Sequence, residues 1–92
     1  MRRNRFEQVD ETQGDAITLF LLMQDGQPVG RVVCPPGLAG QQHDAEIVSP
    51  DMPLIEAFRS TLRLANELKV PVVVLDPENL WMREWGDLYR PV

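Results

Sequence analysis

Cys34, His43 and Asp44 bring a thiol, an imidazole and a carboxylate close together in the middle of the chain. Structural zinc takes four soft or borderline ligands at short spacing, and this chain has one cysteine and one histidine in all. No metal site is expected. A Cys–His nucleophile pair needs the imidazole within hydrogen-bond reach of the sulfur. The loop between Cys34 and His43, rich in proline and glycine, neither enforces nor forbids that. The plain structural reading makes Cys34 a small apolar residue ending a strand, and His43 a surface residue. Within the same loop, Pro36-Gly37-Leu38-Ala39-Gly40 has the outline of a phosphate-cradling turn. It lacks the lysine and the hydroxyl of a P-loop and does not feed directly into a helix.

Asp76, Glu78 and Asp87 are the strongest carboxylate candidates. Asp76 falls at the carboxyl end of a predicted central strand, where open α/β sheets place their ligands. Asp76-Pro77 is also a helix start, with the acid as cap and the proline in the first helical position. No catalytic residue is assigned. Asp76, His43 and Cys34 remain candidates for lining a ligand pocket. The last twelve residues concentrate Trp81, Met82, Trp85 and Tyr89. Tryptophan and tyrosine are enriched at interface hot spots and also fill small cores. Trp81, Trp85 and Tyr89 are therefore the candidate partner-binding anchors, with Arg83 and Arg90 as a rim.

These groups need elements to hold them. Ile17, Leu19, Leu21 and Met23 share one face of a predicted strand, with Thr18, Phe20 and Leu22 on the other. Val29–Cys34 resumes the pattern after Asp25-Gly26, which predicts a hairpin because glycine tolerates the positive φ of such turns. Gly30 marks a bulge or a close backbone approach. Residues 45–48 read as a short strand closed by Ser49-Pro50. Leu54, Ile55, Phe58, Leu62, Ala65 and Leu68 then form the apolar stripe of a helix from about Pro53 to Lys69, capped by Asp51. Val72-Val73-Val74-Leu75 has no polar alternation, the mark of a parallel strand covered on both faces. A last helix is expected from Pro77, carrying Leu80, Trp81, Glu84, Trp85 and Leu88 on one side.

The fold class is thus α+β: a small mixed sheet in ββ(β)αβα order, with one main crossover helix and a short C-terminal aromatic helix. Residues 1–15 are a polar, partly disordered segment with at most a short edge strand, and residues 16–92 form one small domain. Because Ile17–Met23 is apolar on both faces, both need cover. The main helix covers one, and the aromatic helix or a second subunit covers the other.

The 92 residues allow a single core. Nine basic residues stand against fourteen acidic ones, for a net charge of −5. Arg2, Arg3 and Arg5 crowd the start, so the rest of the chain is more acidic still. That body repels phosphate backbones, which leaves nucleic-acid contact to a weak basic arm at Arg2, Arg3 and Arg5. The longest apolar run, Ala16–Met23, is far shorter than the ~20 residues of a membrane span. A lone cysteine and an acidic stretch where a signal peptide's apolar region would lie point to the cytoplasm.

The order hairpin, short strand, helix, strand over Ile17–Leu75 is similar to the central part of GNAT-type acyltransferases, with Asp25-Gly26-Gln27-Pro28-Val29-Gly30 resembling that family's hairpin. The resemblance implies acyl transfer from coenzyme A, whose pyrophosphate the family holds on a glycine-containing loop opening the helix. At that position this chain reads Ser49-Pro50-Asp51-Met52-Pro53-Leu54, with no glycine and with an acid where the phosphate would sit. No cofactor is therefore expected. The sequence reading favours a small non-catalytic module that self-associates or binds a protein partner. The alternative is a ligand-binding or acyltransferase-like domain with its pocket near the 34–44 loop and Asp76.

Overall fold

The computed structural model describes residues 4–38 and 45–90. His43, Arg2 and Arg3 lie outside the described residues. In chain order the elements are strands β1 (Arg5–Val9), β2 (Ile17–Gln24), β3 (Gln27–Cys34), β4 (Ile47–Val48) and β5 (Met52–Pro53), helix α1 (Leu54–Leu68), strand β6 (Val72–Leu75), a 3₁₀ turn (Arg83–Trp85) and strand β7 (Asp87–Tyr89). The strands form one mixed sheet in the order β4-β3-β2-β6-β1-β7, with β5 also paired to β3. It is a small α+β fold.

The hairpin forms where Asp25-Gly26 predicts it. Both turn residues take positive φ, 51° and 78°, and Gln24 pairs with Gln27. The β-branched run becomes β6, parallel to β2 on one side and to β1 on the other. Gly30 is a close approach: a Cβ there would meet Ala57 Cβ of α1 at 2.5 Å. Helix and sheet touch at this point, and an alanine would have to push them apart.

Three expectations are corrected. First, Arg5–Val9 is no edge strand, because it pairs in parallel with β6 and with β7. Its two apolar anchors, Phe6 and Val9, are three residues apart and so face opposite ways, which hides the strand's period. Second, Asp51 does not cap α1. The helix begins after Pro53 without a side-chain cap, and the Asp51 carboxylate instead accepts a hydrogen bond from Arg31 Nε on β3. Third, no α-helix runs from Pro77. Asn79 adopts a left-handed φ of 57°, which breaks helical progression, and the segment ends in the 3₁₀ turn and β7.

The sheet's two faces are unlike. Leu19, Leu21 and Val74 pack with Ala57 and Phe58 of α1, and with Phe6 and Trp85. Ile17, Val32, Cys34 and Leu38 pack with Ala65 farther along the helix. The aromatic C-terminal segment thus lies on the helix side, not on the opposite face where a second cover was expected. The other face holds a smaller cluster of Val9, Ala16 and Val73, with Leu75 packed against it. Among the described residues, no helix is long and apolar enough to cross a membrane.

Candidate functional site

Both oxygens of the Asp76 carboxylate are engaged. One accepts the Leu80 N–H at 2.8 Å and the other the Trp81 N–H at 3.0 Å. The capping chemistry read from the sequence is present, but it closes a loop rather than a helix. Asp76 is buried, and the side-chain amide of Gln8 donates to its backbone carbonyl at 3.3 Å. The carboxylate therefore fastens the aromatic segment to the end of β6.

Cys34 is not brought to Asp76. Its neighbour Val33 pairs with Thr18, which pairs with Val73, and Cys34 lies one residue beyond Val33 in the direction away from Asp76, itself three residues beyond Val73. The two positions are separated by about 13 Å along the strands and about 10 Å across them. Cys34 is buried beside Val32 and Ala65, and that burial pushes its thiol pKa up, away from the reactive thiolate. Among the described residues, no group of three or more His, Cys, Asp or Glu side chains is placed to hold a metal.

The tryptophans form an aromatic cluster with the core. Trp85 stacks on Phe58 with centroids 4.5 Å apart and planes 6° from parallel. Trp81 meets Trp85 edge-on at 5.1 Å and Phe6 at 5.3 Å, and its indole N–H donates to the Gly86 carbonyl at 3.0 Å. Trp85 is only 9% exposed. Tyr89 is separated from this group. It pairs with Glu7 on β1, next to Val73, and so belongs to the opposite face, where Arg5 lies over its ring at 4.5 Å. The three candidate anchors therefore do not share one surface.

Two other surfaces carry apolar groups. On the face without a helix, the register sets Arg31, Phe20, Leu75 and Val9 in one row, and Val33, Thr18, Val73, Glu7 and Tyr89 in the next. Phe20, Leu22 and Leu75 are half-buried there. The alternation along β2 had already placed Phe20 and Leu22 on this side. The second surface is a groove of about 500 Å³ on the helix side, lined by Pro28, Pro53, Ile55, Met82, Glu84 and Trp85. Sequence reading missed it, because its walls come from the hairpin, the start of α1 and the 3₁₀ turn. Ile55, which the sequence reading put in the apolar stripe of α1, is exposed there.

Fold and site together define a small mixed sheet layered by one helix, without a convergent catalytic constellation among the described residues. Compared with known proteins, the chain matches no family model, no curated protein and no solved structure. The stretch aligned with the acyltransferase coenzyme loop is here the link from β4 through β5. Its Ser49 hydroxyl accepts the Val32 N–H at 2.9 Å, and its Asp51 pairs with Arg31.

Proposed function

We propose that this chain is a small non-catalytic cytoplasmic module acting through protein contacts, and that it associates with a second copy across the sheet face that has no helix. The carrying observation is the one-sided layering: α1 and the aromatic segment pack on the same side, while Phe20, Leu22 and Leu75 stay half-buried on the other. Stable domains bury both faces of an apolar sheet in packed layers. A domain of this size gains from oligomerisation when it has no disulfide to constrain it. The alternative reading, one pocket near the 34–44 loop and Asp76, is less favoured, because Asp76 is spent on loop amides and the cavity of about 360 Å³ that Cys34 lines with Ile47, Met52 and Leu64 does not include Asp76.

Native mass spectrometry of the untagged chain at micromolar concentration tests this. The expected species is a dimer without adduct, converted to monomer by Leu22→Lys with an unchanged circular dichroism spectrum. A wild-type monomer overturns self-association. A monomer carrying a small-molecule adduct moves the weight to ligand binding.

A further inference from the structure

We infer that the groove beside Trp85 receives a segment of a partner protein that presents apolar side chains flanked by lysine or arginine. The inference concerns a different surface from the self-association face and does not depend on it. Five large hydrophobic side chains are exposed among the described residues, and three of them gather here. Ile55 (42% exposed) and Met82 (39%) line the groove, and Met23 (39%) flanks it by pairing with Pro28 across the hairpin. Large side chains grouped around a concavity mark a contact surface, whereas single exposed ones need no explanation.

The walls are already fixed. Pro28 and Pro53 have locked φ, and the Trp85 ring is held by its stack on Phe58. A partner would meet an ordered aromatic wall at little entropic cost, with Met82 as an adaptable filler. The charge around the groove selects the partner's chemistry. Glu84 lines it, and no base does among the described residues. Glu78 accepts the Met23 N–H at 2.8 Å, which puts a second carboxylate beside the Met23–Pro28 pair. Glu56, exposed in the first turn of α1, follows Ile55 directly. An apolar floor with an acidic margin disfavours an acidic segment and favours a basic amphipathic one, and the chain's net charge of −5 steers the same way.

The probe is a pair of synthetic amphipathic helical peptides with the same leucine face, one with lysine and the other with glutamate on the polar face. Each is titrated into the full chain while tryptophan fluorescence and peptide anisotropy are followed, and the titration is repeated in Leu22→Lys so that the sheet face is disabled. The lysine peptide is expected to saturate both proteins. Met82→Lys and Glu84→Lys should each weaken it by about tenfold or more, and the glutamate peptide should bind at least about tenfold more weakly. Both substituted residues are exposed, and near-ultraviolet circular dichroism verifies that the aromatic cluster is intact. Equal binding of the two peptides, no binding of the lysine peptide, or unchanged binding by both variants overturns the inference. So does conversion of a wild-type dimer to monomer by Met82→Lys, which would make the occupant a second copy.

Discussion

The two faces of the sheet share strands but follow different rules. On the helix side, four aromatic rings from three parts of the chain interlock: Phe6 from β1, Phe58 from α1, and Trp81 and Trp85 from the C-terminal segment. On the other side, Tyr89 and Phe20 sit in separate rows, and the nearest buried cluster consists of valine and alanine. A high aromatic content near one terminus can therefore serve the core. Here the tryptophans are drawn into the core because β7 carries the segment back beside β1, with the Asp87 N–H donating to the Asn4 carbonyl at 2.8 Å.

The contrast between the two faces depends most on Trp85. If its ring belongs to the core, Trp85→Ala should cost about 3–5 kcal/mol of unfolding free energy, the range for a large buried aromatic. Urea denaturation followed by far-ultraviolet circular dichroism reads this directly. A loss below about 1 kcal/mol would return Trp85 to the surface and undo the contrast between the faces. Asp76 sharpens the same point at smaller magnitude. Asp76→Ala leaves two amides without their charged acceptor and should cost about 2–4 kcal/mol. Asp76→Asn keeps one side-chain oxygen and should recover roughly half of that. If both variants retain wild-type stability, the carboxylate is not the fastening of the aromatic segment.

How much of this was legible follows from where each signal resides. The hairpin, α1 and β6 were readable because their signals are local: a two-residue turn, a 3.6-residue stripe and a β-branched run. β1 was hidden because Phe6 and Val9 face opposite layers, so a strand buried on both sides showed no alternation. The C-terminal strand was hidden because Asp76-Pro77 is a sound helix start that the left-handed Asn79 cancels. Gly86 is a tertiary feature as well. It has a φ of 132°, and a Cβ there would lie 2.5 Å from the Asn4 carbonyl oxygen, so the fit depends on a residue more than eighty positions away. The separation of Cys34 from Asp76 was hidden for a similar reason, since strand register, which no local pattern reveals, sets it.

The smallest expected effect lies on the face without a helix. Thr18 lies in the middle of the Val33–Thr18–Val73 row, is fully buried, and its hydroxyl has no hydrogen-bond partner among the described residues. An orphaned buried hydroxyl costs more than the methyl that could replace it. Thr18→Val keeps the shape and the β-branched preference of the strand, so it should raise unfolding free energy by about 1 kcal/mol. The gain should appear equally in Leu22→Lys, because Thr18 is already buried in the single chain. A gain confined to the associated wild type would instead mean that the second copy sets the environment of Thr18. A loss of about 1 kcal/mol or more in both backgrounds would mean that the hydroxyl has a partner, and that this face is better organised than its sparse apolar packing implies.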